Sequence, residues 1–172
     1  AACGGGGGGG NAVELSDPRL AKIVKQSQEL PGYELFQYID ANGAKQAIES
    51  SDVNAYLKDI TGQDFTAKDF RTWAGTVLAA KALQEFQSFD SQAQAKRNVL
   101  RAIESVAKRL GNTKAVCQKC YIHPHVLNSY MEGTLLQTLR TRVNRELSLS
   151  LRGLPAEEAA VLTLLQQQLK LQ

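Results

Sequence analysis

The most informative stretch of the chain reads LGNTKAVCQKCYIHP and runs from Leu110 to Pro124. Gly111 is typical of a helix end, because glycine adopts the left-handed conformation that closes a helix at little cost. A short basic segment follows, and Tyr121 then lies shortly before Pro124, where another helix is predicted to begin. The stretch therefore predicts a helix that ends, a short basic turn or helix, and a tyrosine at a helix boundary.

Tyr121 is a candidate nucleophile. Near neutral pH an ordinary phenol is a poor nucleophile, because it is almost fully protonated. Basic groups change this when they stabilise both the phenolate and the charge that builds on a phosphate. Lys114 and Lys119 are close to Tyr121 in the sequence, and we expect the fold to bring Arg71 close as well. We predict attack on a DNA phosphodiester, although this stretch alone favours a structural tyrosine at a helix boundary.

Size and charge leave several classes of protein open. The chain has 172 residues, of which 43% are hydrophobic and 22% charged, as in one soluble globular domain with a real core. A net charge of +3 does not by itself indicate nucleic-acid binding, but its distribution does. Only Glu104 interrupts a basic run before Tyr121, which is either a solvated helix face or a phosphate-binding one. The run comprises Lys96, Arg97, Arg101, Lys108, Arg109, Lys114 and Lys119.

Other features of the composition concern the compartment. The sequence contains no apolar run of membrane-spanning length and no signal-peptide pattern, and its three cysteines indicate a reducing compartment. We therefore expect a cytoplasmic, nucleoid-associated protein with no membrane partner. Residues 1–10 include seven consecutive glycines and are predicted to be a flexible tail.

The first half of the chain predicts helices around a small β hairpin. Asn11–Leu15 alternates like a short strand, and Asp17-Pro18 is typical of a helix start with Leu20, Ile23 and Val24 on one face. Leu35–Ile39 is rich in strand formers, and Asn42-Gly43 predicts a hairpin turn before a return strand at Gln46–Ile48.

The next helix is predicted to open at Ser51 or Asp52 and to close at Gly62. Its apolar face would carry Val53, Tyr56, Leu57 and Ile60.

Longer helices are predicted after this point. A capping box at Thr66–Asp69 opens a helix with an apolar stripe, in which Ala74-Gly75 leave room for another element to approach. The stripe consists of Phe70, Trp73, Val77 and Ala80. Ser91 opens the helix that Gly111 ends, with Val99, Ile103, Val106 and Leu110 as its stripe. Further helices are predicted from Pro124, over Leu135–Leu147 and from Pro155, so the fold class is mainly α with a small β hairpin.

Four potential metal ligands lie close to Tyr121, but their spacing argues against a metal site. Cys117, Cys120, His123 and His125 fall within nine residues, whereas structural zinc sites usually join two separated pairs of ligands. We predict two small apolar cysteines, two surface histidines and no metal.

Arg71 and Asn112 each fit both a structural and a phosphate-binding interpretation. The sequence fits two interpretations of Arg71 equally well: an ion-pair partner of Asp64 or Asp69, or a guanidinium that binds two oxygens of a phosphate. Asn112 is a common turn former after a helix-ending glycine and also a hydrogen-bond donor to a phosphate. Tyr130 competes with Tyr121 as a nucleophile, but no Lys or Arg lies within four residues of it.

Three separated motifs carry a resemblance to a known family. DFTAKDFRTW at Asp64–Trp73, LGNT at Leu110–Thr113 and CYIHP at Cys120–Pro124 together resemble the catalytic domain of type IB DNA topoisomerases, in particular the bacterial, poxvirus-like branch. Leu35–Tyr38 and Ser51–Asn54 are similar to it too. The likeness extends from residue 11 to the C-terminus, and tyrosine recombinases are more distant relatives.

The resemblance implies a helical catalytic domain over residues 11–172 that relaxes supercoiled double-stranded DNA as a monomer, without ATP, metal or another cofactor. Tyr121 would cut one strand and become linked to its 3′ phosphate. Arg71 and Asn112 would bind the non-bridging oxygens of that phosphate. The implied DNA contacts are Lys68, Lys114 and Lys119.

The sequence also departs from the family pattern. The family uses a second arginine and a general-acid lysine upstream of Arg71; the lysine aligns near Gly6, and the arginine and the N-terminal clamp domain would precede residue 1. A general acid contributes about 10²–10⁴-fold to the rate, so we expect a fragment with weak or no relaxing activity. Two other functions stay open, a non-catalytic DNA-binding module of the same fold and a tyrosine recombinase.

Overall fold

The computed structural model describes residues 17–32, 34, 36–86, 88–141 and 153–170. Within these ranges the chain is mainly helical with one two-stranded antiparallel sheet, so the predicted fold class is confirmed. Residues 1–10, the strand predicted at Asn11–Leu15 and the predicted helical residues 142–147 lie outside the described ranges. The chain divides into two compact units, with the boundary between Phe70 and Arg71.

The N-terminal unit begins with the predicted helix cap. Helix α1 spans Pro18–Glu29, and the Asp17 side chain accepts hydrogen bonds from the backbone amides of Arg19 at 2.8 Å and Leu20 at 3.3 Å. Strands β1 (Gln37–Ile39) and β2 (Lys45–Ala47) pair in antiparallel register. The turn between them contains Gly43 with a φ of +79°, which glycine adopts without strain.

Helix α2 spans Ser50–Thr61 and begins slightly earlier than predicted. Glu49 is its N-cap residue, because the Glu49 and Asp52 side chains form a reciprocal capping box. Gly62 closes the helix in the left-handed conformation, as predicted.

Large apolar side chains of this unit are exposed, and the apolar faces predicted for α1 and α2 are not buried. Phe70, predicted to belong to a buried stripe, is 51% exposed, so that prediction was wrong. Amphipathic spacing shows which residues share a face, but not whether another element covers it. The exposed set is Leu20, Ile23, Phe36, Tyr38, Ile39, Ile48, Val53, Tyr56, Ile60, Phe65 and Phe70.

The C-terminal unit contains the hydrophobic core, built from helices that begin with the greater part of α3 (Ala67–Glu85). The others are α4 (Gln92–Leu110), α5 (Lys114–Cys120), α6 (Pro124–Met131), α7 (Leu135–Thr141) and α8 (Ala156–Lys170). The largest fully buried side chains include Leu83, Ile103, Val106, Val126, Tyr130, Leu135 and Val161. No helix in the described ranges combines the length and apolarity needed to cross a bilayer.

Helix α3 buries only part of the apolar stripe predicted for it: Ala80 is buried, but most of its other buried residues lie outside the stripe. Gly75, Thr76, Ala79, Ala80 and Leu83 are its buried residues, whereas Trp73 and Val77 are only partly buried. The Trp73 indole instead donates a 2.9 Å hydrogen bond to the Glu158 carboxylate on α8. Small side chains on this face allow a neighbouring segment to lie close to the helix backbone.

Helix α4 follows its prediction closely. The Ser91 hydroxyl caps its start by accepting from the Gln94 amide at 3.2 Å, and Gly111 closes it with a φ of +66°. Ile103 and Val106 are buried, while Val99 and Leu110 pack at the edge of the core.

Candidate active site

Tyr121 lies at the C-terminal end of α5, where the helix unwinds. Its amide donates to the Cys117 carbonyl at 3.0 Å, and its φ of −125° takes the chain out of the helix. The Thr113 hydroxyl caps the start of α5 by accepting from the Val116 amide at 3.3 Å. The short helix thus carries the chain from the end of α4 to a half-buried tyrosine.

Arg71 on α3 lies over the ring of Tyr121. Its Cζ atom is 4.7 Å from the ring centroid, and its Nη2 donates a 2.9 Å hydrogen bond to the Leu110 carbonyl. The Arg71 side chain is exposed. A guanidinium over an aromatic face at an exposed site contributes about 0.5–1 kcal/mol.

Neither aspartate considered as a partner of Arg71 is used in that way. Asp64 forms a 2.7 Å ion pair with Lys58, and Asp69 accepts from the Thr66 amide at 2.8 Å and the Thr66 hydroxyl at 2.7 Å. These hydrogen bonds lower the pKa of Asp69. One of the two hydrogen bonds of the capping box predicted at Thr66–Asp69 is therefore confirmed, namely the bond from the Thr66 backbone amide to the Asp69 carboxylate.

Asn112 shares an acceptor with Arg71. Its Nδ2 donates to the Leu110 carbonyl at 2.8 Å, while its backbone amide donates to the Ala107 carbonyl at 2.9 Å. Gly111 makes this possible, because its left-handed conformation turns the chain back over the end of α4. The Leu110 carbonyl thus links Asn112 to Arg71, and Arg71 contacts Tyr121, so the three predicted site residues lie together.

Helix α3 also contacts the backbone around Tyr121. The Thr72 hydroxyl donates to the Cys120 carbonyl at 3.2 Å, and the Thr76 hydroxyl accepts from the His123 amide at 3.1 Å. A Cβ atom at Gly75 would collide with the Tyr121 carbonyl oxygen and lie 3.2 Å from the Tyr121 Cβ. The sequence predicted close approach at Gly75 but not the two threonines, for which the only signal is a pair of hydroxyls one helical turn apart.

We expect Gly75→Ala to destabilise the protein. Helix propensity alone predicts a gain of about 1 kcal/mol, but overpacking costs about 1–3 kcal/mol. Because the new methyl meets main-chain atoms, we expect the upper end of the overpacking cost, about 3 kcal/mol, and therefore a net loss of about 2 kcal/mol in the free energy of unfolding. Urea denaturation measures this loss, and Ala74→Ser, which adds one heavy atom at the exposed neighbouring position, is the control. An unfolding free energy equal to wild type for Gly75→Ala would contradict the close approach.

The three predicted DNA-contacting lysines have different surroundings. Lys114 forms a 2.9 Å ion pair with Glu104, which offsets part of its charge. Lys119 is exposed at the end of α5 and lines an open groove together with Lys96. Lys68 is exposed in the first turn of α3, within the N-terminal unit.

The cysteines and histidines near Tyr121 do not converge. Cys117 is buried in the core, and burial raises the pKa of its thiol against the opposing charge of Arg71. His123 caps α6 by accepting from the His125 amide at 3.2 Å. Within the ranges that the structure describes, no three His, Cys, Asp or Glu side chains form a group able to hold a metal ion.

Tyr130 is unsuited to attack a large substrate, because it is buried. Only 1% of its surface is exposed, and its hydroxyl accepts a 2.8 Å hydrogen bond from the side-chain amide of Asn98. The lower rank given to Tyr130 as a nucleophile agrees with this position.

His123 makes stability depend on pH. Partial burial, and then the neighbouring His125, lower the pKa of His123 from its ordinary value of 6.5. The folded state therefore binds fewer protons than the unfolded state, so this stability is complete above the unfolded pKa and is lost as the pH falls through the folded pKa. Protonation of the accepting ring nitrogen also removes the α6 cap.

We expect the free energy of unfolding to fall as the pH drops from about 7.5 to about 5. In His123→Asn, which retains a capping oxygen but does not titrate, we expect a weaker dependence. Denaturant melts at several pH values measure both. Parallel pH profiles for the variant and wild type would contradict the assignment.

Comparison with known proteins finds sequence similarity to one family. Residues 11–147 match the family described as the catalytic core of eukaryotic DNA topoisomerase I. A relative, DNA topoisomerase 1B of Acanthamoeba polyphaga mimivirus, is 32% identical over 117 residues, covering 64% of this chain and 35% of the relative. The chain thus spans about a third of that relative's length. Because the family match covers most of the chain, and because Arg71, Asn112 and Tyr121 all lie within it, the chain belongs to the DNA topoisomerase I catalytic-core family.

Proposed function

We propose that this chain cuts and rejoins one strand of double-stranded DNA as a type IB topoisomerase, with Tyr121 as the nucleophile. The observation that carries the proposal is the position of the Arg71 guanidinium, 4.7 Å from the centre of the Tyr121 ring. A planar guanidinium there can bind two oxygens of a phosphate that the phenol attacks. Asn112 shares the Leu110 carbonyl with Arg71 and adds a third hydrogen-bond donor from the C-terminal end of α4.

The proposed reaction is a transesterification. The Tyr121 oxygen loses its proton and forms a bond to phosphorus, while the bond from phosphorus to the 5′ oxygen breaks and that oxygen takes up a proton. Arg71 and Asn112 bind the non-bridging oxygens, whose charge increases in the five-coordinate transition state. The 3′-phosphotyrosine conserves the bond energy, so the freed 5′ hydroxyl reverses the step without ATP. No step calls on a metal ion or another cofactor.

Salt dependence tests the proposed DNA contacts at Lys68, Lys114 and Lys119. The logarithm of the binding constant falls as the logarithm of the salt concentration rises, and removing one lysine–phosphate contact makes this fall less steep by about 0.9 for B-DNA. We expect Lys119→Gln to weaken binding equally across DNA sequences and to reduce the slope by about one. Lys114→Gln should do less, because Glu104 already partners Lys114. Lys81→Gln, which removes an exposed lysine paired with Glu157 at 3.1 Å, is the control, and equal slopes for all variants would contradict these contacts.

A trapped intermediate tests the function. A suicide duplex, whose short downstream fragment carries the freed 5′ hydroxyl and dissociates after cleavage, is incubated with the chain, and covalent protein–DNA bands are resolved on a denaturing gel. After nuclease digestion, we expect mass spectrometry to find the nucleotide on the peptide that contains Tyr121. DNA binding without a covalent band, both by this chain and by a longer chain that supplies the family's upstream arginine and lysine, would favour a non-catalytic binding module, whereas synapsis of two duplexes in a gel shift would favour a recombinase.

Finer features of the proposal stay predictions. They are membership of the bacterial, poxvirus-like branch, a nucleoid-associated location, action as a monomer, and weak or absent relaxation by these 172 residues alone. A supercoiled-plasmid assay tests relaxation, and sedimentation with and without DNA tests the oligomeric state.

A further inference from the structure

Three residues on one face of α3 contact the segment that carries Tyr121. Thr72 bonds to the Cys120 carbonyl, the Gly75 backbone lies against the Tyr121 carbonyl, and Thr76 accepts from the His123 amide. They therefore contact the chain just before, at and just after the tyrosine. We call Thr72, Gly75 and Thr76 the α3 cradle.

The α3 cradle is built into the core rather than placed on a mobile surface. Gly75 and Thr76 are buried, and Thr76 is only 2% exposed. The Thr76 hydroxyl serves two partners, because it donates to the Thr72 carbonyl at 2.7 Å while it accepts from the His123 amide. These two hydrogen bonds determine the orientation of the Thr76 hydroxyl.

Arg71 is adjacent to the α3 cradle on the same helix. Because an α-helix is stiff over one turn, contacts that hold Tyr121 to α3 also determine its distance from the guanidinium. We propose that the α3 cradle consists of positioning residues, which hold Tyr121 in line with the phosphate that Arg71 binds. This proposal rests on the proposed cleavage reaction, but its structural part, the control of the Tyr121 position, does not.

Thr76→Val tests the proposal, because valine keeps the shape and removes the hydroxyl. We expect adduct formation on the suicide duplex to slow at least tenfold, since a small misplacement costs up to about 10²-fold, while non-covalent DNA affinity stays within about twofold. Thr76→Ser, which retains the hydroxyl, should restore most of the rate.

Thr163→Val is the matched control. Thr163 is also buried, at 3% exposure, and its hydroxyl donates to the Ala159 carbonyl at 2.8 Å, one turn back along α8. Both variants lose the hydroxyl bond to the carbonyl one turn back, but Thr76→Val also leaves the His123 amide without its acceptor, so its unfolding free energy should fall further. If adduct formation slows equally in both, Thr76 has only a structural role and the proposal is overturned.

Two readouts do not depend on cleavage. Fluorotyrosine at position 121 gives a ¹⁹F NMR signal that we expect to shift or broaden in Thr76→Val but not in Thr163→Val. Exchange of the His123 amide hydrogen should accelerate in Thr76→Val alone. If wild type forms no adduct even when the family's upstream arginine and lysine are supplied, the proposed function fails, yet these readouts still decide the positioning role; an unchanged signal and unchanged exchange would overturn it.

Discussion

Tyr121→Phe is expected to abolish the covalent protein–DNA adduct. The substitution removes the attacking oxygen and retains the ring over which Arg71 lies at 4.7 Å. We expect adduct formation to fall by more than about 10⁴-fold, to background, as when other enzymes lose their nucleophile. Non-covalent affinity for the same duplex should stay within about twofold, because the phenol oxygen acts in the chemical step. Denaturing gels measure the adduct, and fluorescence anisotropy measures binding.

Tyr56→Phe provides the matched control for this loss. Tyr56 is 62% exposed on α2, so a nucleophile chosen only by accessibility would include it. We expect Tyr56→Phe to form the adduct at the wild-type rate. An adduct that persists in Tyr121→Phe would show that another residue attacks the phosphate, and the family resemblance would then have misled the assignment.

Substitution of Arg71 is expected to have the second largest effect. Removal of a preorganised donor to a developing oxyanion typically costs about 10²–10³-fold, and we expect Arg71→Ala to slow single-turnover cleavage by this factor. Arg71→Lys keeps the charge but loses the planar fork, so its rate should lie between those of alanine and wild type. Binding should weaken little, because the proposed lysine–phosphate contacts remain in the variant.

Arg19→Ala separates the specific effect of Arg71 from a general loss of positive charge. Arg19 has a highly exposed side chain near Asp17, in the N-terminal unit. We expect this variant to cleave at the wild-type rate. Wild-type cleavage by Arg71→Ala would remove the arginine from the mechanism and leave its contact with Tyr121 as packing alone.

Local chemistry explains which parts of the fold were predictable from the sequence. The caps at Asp17, Ser91, Gly62 and Gly111 depend on side chains or conformations that act within a few residues, so the sequence shows them directly. The burial of α3 depends on what packs against it. Its small residues are buried and Phe70 is exposed, although periodicity favoured the aromatic residue.

The proximity of the three candidate site residues was predictable from the sequence motifs, but their hydrogen bonds were not. Arg71, Asn112 and Tyr121 lie in three separated motifs, and the structure brings them together. Arg71 and Asn112 share the Leu110 carbonyl as acceptor, a backbone group that every residue carries, so no sequence pattern distinguishes it. Thr76 was missed for a similar reason, since its partner is the backbone amide of His123.

The position of Arg71 and Thr76 on one helix has a consequence for insertions and deletions. Each residue of an α-helix advances the direction of its side chains by about 100°. A single residue inserted between Arg71 and Thr76 would therefore turn the guanidinium away from the tyrosine while leaving the rest of α3 in place. Length changes after Glu85, where the helix ends, leave that angle unaltered. Homologous chains should thus keep a constant number of residues between these two positions.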